Sequence, residues 1–283
     1  MIYNITDKVK EAWNYYDKLL DEKIENISKI SGVSKDKFVK INPAEFLEKN
    51  SYQIVDNYTY VNIKDWIKNT KTDDNYLISP CDADEETANQ ISYKEQLVDI
   101  KLRASKCDVI PISTFVAKNF FVKNHRQSQP LLRNTAISYA LVYKGKIVAV
   151  MTYDKSNGAV RGDLKYYELL RLAIAHGYKI NGGASKLQQA CEKSLIEKGE
   201  DTILSYSNAT INNGNVYRAL GFSDEGLDSG QPFVILKNFK IRRLINIYPY
   251  STNKLLAKYG RIKTHIGGNK TWIKNIGLTD KSK

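Results

Sequence analysis

Between Ala136 and Asn208 the order of short segments leaves the chain few folds to choose from. "AISYALVYKGKIVAVMTYDK" is two alternating, β-branched runs joined at Lys144-Gly145, which predicts a β-hairpin with a tight turn. "YYELLRLAIA" reads as a further strand, "GGASKLQQACEKSL" as a glycine turn opening a helix, and "DTILSYSN" as the next strand. A short helix in "NNGNVYRALGF" and a last strand in "PFVILKN" follow. Hairpin, strand, turn, helix, strand, helix, strand predicts a mixed α/β sheet with a helix starting after a central strand.

Upstream, "DVIPISTFVAKNFFVKNHRQ" predicts a strand, a break at Pro111 and a helix running to His125. Nearer the start, Trp13, Tyr16, Leu20, Ile24, Ile27 and Ile30 fall at three- and four-residue spacing, the stripe of an amphipathic helix. Gly32 and Pro43 interrupt it. The stretch to about residue 100 is mixed and acidic, with "SPCDADEETANQ" expected as a loop. "CDADEE" lacks the order of a calcium loop and reads as a solvated acidic turn. The expected organisation is an N-terminal extension over 1–106, an α/β domain over 107–239 and a basic tail over 240–283.

Charge changes sign along the chain. Residues 1–100 carry 13 Lys/Arg against 19 Asp/Glu, residues 101–160 carry 10 against 2, and residues 237–283 carry 12 against 1. An acidic front with two basic blocks suits a protein that meets a polyanion. Lysine inflated by an AT-rich coding bias is the alternative, although bias alone would not confine the excess to two blocks. The cysteines Cys81, Cys107 and Cys191 have neither disulfide nor metal spacing. No His/Cys/Asp/Glu grouping falls at ligand spacing, so no metal site is assigned. The opening residues lack a signal-peptide pattern and no apolar run approaches membrane-spanning length, so the expected location is cytoplasmic.

The glycine turn has two readings. Gly182 and Gly183 could simply supply backbone freedom, with Ser185 capping the helix. Alternatively, free amides and the helix dipole could cradle a phosphate. Neither G-x-x-x-x-G-K-[ST] nor G-x-G-x-x-G is present nearby, which argues against an ordinary nucleotide loop.

Taken together, "ELLR…GGASKL…SYSN…GNVYRALGF" resembles the Mom-type phage proteins, which modify adenine in DNA. It is also similar to the related domain of phage homing-endonuclease-like proteins. Both resemble the GNAT acyltransferase superfamily. The similarity spans roughly Phe115 to Phe239 and continues weakly through Gly260 to Trp272. It implies a GNAT-like mixed central sheet flanked by helices. It also implies an acyl-coenzyme A, or related small donor, with its pyrophosphate at Gly182, Gly183, Ala184, Ser185 and Lys186. The strand after the helix would splay from its neighbour to admit the donor's arm. Tyr217 would be a general acid for the leaving thiolate, and His125 would lie among the site residues. The phage family commonly reads Ser-Tyr-Ala-Asp where this chain has Ser205, Tyr206, Ser207 and Asn208. The glycine loop also lacks the wider superfamily's fuller Arg/Gln-x-x-Gly-x-Gly/Ala pattern.

Acyl transfer to an amine needs a base, donors for the thioester carbonyl and an acid. Glu168 is the carboxylate best placed on the central strand, and the competing reading pairs it with Arg171. Tyr217 could equally be core packing beside Phe222, with Gly221 as helix C-cap. His125 could be a helix-end histidine. Asn208 could bind the coenzyme or a water. Arg126, Arg242, Arg243, Lys258 and Arg261, interleaved with tail aromatics, are candidate nucleic-acid contacts, or a plain solvated surface. The expected function is transfer of an acyl-derived group to the exocyclic amine of a DNA base, adenine favoured. The alternatives are a non-catalytic DNA- or protein-binding module, and acyl transfer to a host protein amine. Residues 1–100 could face a host partner.

Overall fold

The computed structural model describes residues 5–45, 53–55, 58–62, 64–94, 98–125, 132–155, 166–227, 231–236, 241–243, 260–266 and 268–277. Its strands are β1 (Phe38–Lys40), β2 (Gln53–Val55), β3 (Tyr58–Asn62), β4 (Tyr76–Ile78), β5 (Ile100–Arg103), β6 (Asp108–Pro111), β7 (Ile137–Tyr143) and β8 (Lys146–Lys155). They continue with β9 (Tyr167–Ile174), β10 (Tyr178–Asn181), β11 (Thr202–Asn208), β12 (Ser223–Leu227), β13 (Gln231–Leu236), β14 (Ile241–Arg243), β15 (Gly260–Ile266) and β16 (Asn269–Asn275). The helices are α1 (Ile5–Ser31), α2 (Lys64–Thr70), α3 (Asp84–Lys94), α4 (Thr114–Asn124), α5 (Gly183–Glu197) and α6 (Asn215–Ala219).

Two compact units interleave along the sequence. One comprises residues 1–91, 208–213 and 227–270; the other comprises 92–207, 214–226 and 271–283. The residues around Lys106 lie inside the second unit, and the final segment of the tail returns to it.

The second unit is built on a seven-stranded mixed sheet in the order β12-β16-β11-β9-β8-β7-β6, with helices packed on it. The predicted hairpin is β7 and β8. Its turn places Lys144 at φ 50 and Gly145 at φ 73, the left-handed pair that a two-residue hairpin loop demands. On one face, Leu187, Cys191 and Leu195 of α5 pack with Met151, Tyr153, Tyr167 and Leu169. On the other, Ala117, Phe120 and Phe121 of α4 pack with Ala140, Val150 and Ala173. The helix start predicted after Pro111 is capped by Ser113, whose hydroxyl accepts from the Val116 amide.

The last strand of this sheet is not where the sequence places it. "PFVILKN" supplies β13, which belongs to a separate five-stranded sheet, β14-β13-β15-β3-β2, in the first unit. The outer positions of the seven-stranded sheet go to β16 and β12 instead. β12 is "SDEGL", nearly all exposed, so it has no apolar alternation to betray it. β16 ends beside the start of β11, where the Ile276 amide donates to the Asp201 carbonyl at 2.7 Å.

In the first unit, α1 buries Ala12, Tyr16, Leu20, Ile24 and Ile27, while Ile30 is exposed. These residues meet the parallel pair β1 and β4, with Ala209 and Ile211 joining the packing. The expected loop "SPCDADEETANQ" is a loop only as far as Ala83; Asp84–Lys94 is α3. Asp84, Glu85 and Glu86 in its first turn complement the positive end of the helix, and Ala88 and Ile91 are fully buried. Acidity that reads as solvation is helix-starting chemistry here.

Lys23 clasps this helix start, donating to the Asp82 carbonyl at 2.6 Å and to the Asp84 carboxylate at 2.9 Å. The Asp82 carboxylate accepts from the Ser79 amide at 2.6 Å, and burial pushes it up to about 6. Its raised value means that the folded state holds this proton more tightly than the unfolded one. Stability from this group is therefore present below about pH 4 and is lost as pH rises through 6, by at most about 3 kcal/mol for a shift of this size. Asp82→Asn, which keeps the acceptor oxygen, is expected to raise the melting temperature at pH 8 and leave it nearly unchanged at pH 4.

Candidate active site at the parting of two central strands

β9 and β11 run parallel but pair only at Tyr167 with Ile203 and Glu168 with Leu204. On its other edge β9 stays paired with β8 as far as Ile174, with a register slip between Leu169 and Arg171 that leaves Leu170 as a bulge residue. Side chains meet the carbonyls at the bulge. The Ser205 hydroxyl donates to the Leu169 carbonyl at 3.0 Å, and the Arg171 guanidinium donates to the Leu170 carbonyl at 2.6 Å. The strands thus separate beyond Glu168, as the resemblance led us to expect.

The crossover from β9 through β10 and α5 to β11 returns the N-terminus of α5 to the carboxyl end of β9. In open α/β sheets this is the end at which ligands bind. Gly182 takes φ 75 as the N-cap of α5, without a side-chain cap, so Ser185 lies within the first turn and does not cap the helix. The first helix-bonded amide is that of Lys186, to the Gly182 carbonyl at 3.0 Å. Among the described residues, no acceptor meets the amides of Gly183, Ala184 and Ser185. Three free donors and a helix dipole make this end an anion-binding site in chemical type.

The two glycines have different jobs. A Cβ at Gly183 would lie 2.9 Å from the Ile180 Cγ2 and 3.2 Å from the Leu141 Cδ1, so this glycine lets the helix pack against β10 and β7. Gly182 is required by its left-handed backbone. Lys186 turns away from a cradle role: its ammonium donates to the carbonyls of Cys107 at 2.6 Å and Ala104 at 3.1 Å, tying the turn after β5 to α5. Ser185 is exposed. Ser185→Glu should therefore stabilise α5 by about 0.3–1 kcal/mol through the dipole while filling the cradle with negative charge; thermal denaturation checks the first half.

Leu169 and Leu172 pack on the α5 side and Ala173 on the α4 side. Alternation about the bulge then puts Glu168 and Arg171 on the α4 side of β9. Asp154 lies opposite Glu168 in register, but its carboxylate is occupied by the amides of Arg133 at 2.7 Å and Lys155 at 2.8 Å and by the Thr135 hydroxyl at 2.5 Å. Glu168 makes no direct ion pair with Arg171, and no hydrogen bond reaches its carboxylate among the described residues. Burial raises the Glu168 pKa, with the Arg171 charge pulling the other way. Arg171 is lowered, first by burial, while Glu168 and Tyr217 sustain its charge. Among the described residues its buried Nε has no hydrogen-bond partner. Read from the sequence alone, Arg171 is only a counter-ion, because nothing local reveals a bulge that leaves a guanidinium beside this carboxylate.

Tyr217 stacks on Trp272 at 5.2 Å between ring centres and meets Phe222 edge-on at 5.9 Å. Its hydroxyl donates to the Tyr206 carbonyl at 3.1 Å. It therefore combines core packing with a polar end close enough to act electrostatically on Arg171 and Tyr153. His125 is the C-cap of α4: its amide donates to the Phe121 carbonyl at 2.8 Å and its ring sits edge-on to Phe121. The Asn208 side-chain oxygen accepts from the Thr210 amide at 2.9 Å and from the Thr210 hydroxyl at 2.6 Å, in the first unit. An aspartate would accept both bonds equally, so this departure from the phage pattern preserves the turn.

Arg126 and Lys258 lie outside the described residues, as do Tyr248, Tyr250 and Tyr259. Arg242 and Arg243 are on β14 and Arg261 on β15. Among the described residues, no group of three or more His, Cys, Asp or Glu could hold a metal ion, and no helix is long and apolar enough to cross a membrane.

No family model and no curated protein matches the chain. Among solved structures, 62% of it is similar to 98% of the ribosomal-protein-S18-alanine N-acetyltransferase from Escherichia coli, at 14% identity and a TM-score of 0.39. A GNAT family acetyltransferase from Elizabethkingia anophelis with acetyl-CoA bound is similar over 60% of this chain and 98% of its own, at 11% identity and 0.38. A Bacillus subtilis acetyltransferase in complex with CoA gives 60%, 99%, 12% and 0.37.

Proposed function

We propose that this protein is an N-acyltransferase that binds an acyl-coenzyme A, or a related donor, where β9 and β11 part. The observation that carries the reading is the set of three unengaged amides at the start of α5, at the carboxyl end of a strand that separates from its neighbour just beyond Glu168. The pyrophosphate would rest on the amides of Gly183, Ala184 and Ser185. An amine attacks the acyl carbon: the N–C bond forms, the C–S bond breaks, Glu168 takes the amine proton and the thiolate receives a proton. Glu168 suits the base role because burial raises its proton affinity and, among the described residues, no partner engages its carboxylate. Tyr217 is the acid of this scheme, which requires its hydroxyl to leave the Tyr206 carbonyl.

For the acceptor we propose the exocyclic amine of a DNA base, adenine favoured. The two basic blocks and the likeness of the motif order to Mom-type proteins support this. Such an amine is engaged in pairing within a duplex, so the base must be flipped out. Mass spectrometry of nucleosides from cells expressing the protein tests this reading, with the Glu168→Gln variant beside it. An altered nucleoside in the wild type alone is the expected result. Unaltered DNA together with an acylated protein amine would move the acceptor to protein, and no product of either kind would overturn the enzyme reading.

A further inference from the structure

Glu168 and Arg171 are three residues apart on β9, a spacing that in an ideal strand sends two side chains to opposite faces. Register removes that difference. Glu168 pairs with Asp154 and Arg171 with Thr152, and the bulge at Leu170 takes up the extra residue. Asp154 and Thr152 are two apart on β8, so Glu168 and Arg171 become neighbours on one face, about 7 Å apart along the strand. Their partners across the sheet are already committed. Three donors fill the Asp154 carboxylate, and the Thr152 hydroxyl is bonded to the Ser138 hydroxyl at 2.8 Å.

Glu168 and Arg171 are not so committed. Among the described residues no hydrogen bond reaches the Glu168 carboxylate. The Arg171 guanidinium is fixed through Nη1, which donates to the Leu170 carbonyl at 2.6 Å, while its buried Nε finds no hydrogen-bond partner among those residues. A lysine ammonium would serve a lone bulge carbonyl as well; what arginine adds is a second N–H edge held rigidly in place. A buried donor left unmade costs free energy, so a chain that keeps such a nitrogen suits a partner that binds later. The two charges act on each other's ionisation without meeting in an ion pair, the separation of groups that bracket a ligand.

We propose that Glu168 and Arg171 together read an amine that stands beside a ring nitrogen: the Glu168 carboxylate accepts from the reacting amine, and the Arg171 Nε–H donates to the neighbouring ring nitrogen. Adenine presents that edge twice, its exocyclic amine lying beside N1 and beside N7, and cytosine presents it through N4 and N3, whereas thymine has no amine. A lysine side-chain amine has no such neighbour and would leave the Arg171 N–H unpaired, a mismatch that sites built on hydrogen bonds reject strongly. Arg171 thereby selects the acceptor, which deepens the base-amine reading and rests on it.

The test is proton–nitrogen correlation spectroscopy of the full chain, reading the Arg171 Nε–H signal, assigned by its loss in Arg171→Lys. Free nucleosides serve as probes because they lack phosphate and need no acyl donor. Deoxyadenosine is expected to shift this signal saturably, and thymidine to leave it in place. Of the 1-deaza and 7-deaza analogues of deoxyadenosine, the one missing the nitrogen that Arg171 meets should bind at least about tenfold more weakly. In Arg171→Met, deoxyadenosine should lose affinity by the same factor in calorimetry, and the analogues should no longer differ from it. A signal unmoved by deoxyadenosine, or both analogues binding as tightly as deoxyadenosine, would overturn the proposal. These comparisons use the wild type, so they stand even where Arg171→Met fails to fold. Altered nucleosides in cells together with an unmoved Arg171 signal would refute this recognition and leave the base amine as acceptor. A signal moved by alaninamide or Nα-acetyl-lysinamide but by no nucleoside would overturn both.

Discussion

Trp272→Ala is expected to destabilise the second unit by about 3–5 kcal/mol, the range for deleting a large buried aromatic ring. Trp272 is fully buried. Its indole N–H donates to the Ser207 hydroxyl at 2.8 Å, its ring stacks on Tyr217 at an interplanar angle of 11°, and the Arg218 guanidinium lies 5.6 Å above its centre. Gly214 takes φ 78 directly against that ring, where any Cβ would overlap the six-membered part of the indole. Removing the ring leaves a cavity, strips Ser207 of a donor and frees one face of Tyr217. Gly214→Ala should fall in the same direction, since it combines left-handed strain with overpacking. Denaturant titration checks both, with Trp272→Phe recovering part of the loss. Unfolding midpoints unchanged by Trp272→Ala would show that β16 does not anchor β12 to the rest of the sheet.

The second large effect is on turnover. Glu168→Gln keeps the shape of the side chain and removes its basicity, so it is expected to lower kcat by about 10²–10⁴ with a small change in KM. The wild-type rate should rise with pH through the Glu168 pKa, which burial displaces above the usual carboxylate value, and level off above it. The sign follows from the role: only the ionised carboxylate accepts the amine proton. In the glutamine variant that limb of the profile should vanish. A variant with wild-type kcat and an unchanged profile would remove Glu168 from the chemistry and return it to the role of a charge beside Arg171.

What the sequence made legible was local. The hairpin at Lys144-Gly145, the strand over Tyr167–Ile174, the cap at Ser113 and the glycine turn before α5 all rest on periodicity or on backbone needs that a few residues express. What stayed hidden was long-range. β15 pairs with β3 across some two hundred residues, and β16 joins the seven-stranded sheet only after β13, β14 and β15 have built another sheet. No short pattern encodes such pairings, and β12 has no apolar face to announce itself. The site shows the same division. Glu168 and the glycine turn were readable as types, whereas the bulge that sets Arg171 beside Glu168, and the packing of Gly183 against Leu141, are consequences of neighbours distant in sequence. Lys186 illustrates the converse: its place in the motif suggests a phosphate ligand, while its ammonium is committed to two backbone carbonyls.

Those observations also decide which variant probes the cradle cleanly. A carboxylate at Gly183 would break the contact with Ile180 and Leu141 before it met any ligand, whereas Ser185 is exposed in the first turn of α5. Calorimetric titration of coenzyme A into the wild type and into Ser185→Glu is the sharpest test of the cradle at the start of α5. Saturable binding to the wild type at one site is expected, with at least tenfold weaker binding to a variant that is equally or more stable. No heat of binding to the wild type, or equal affinity in a folded Ser185→Glu protein, would contradict it.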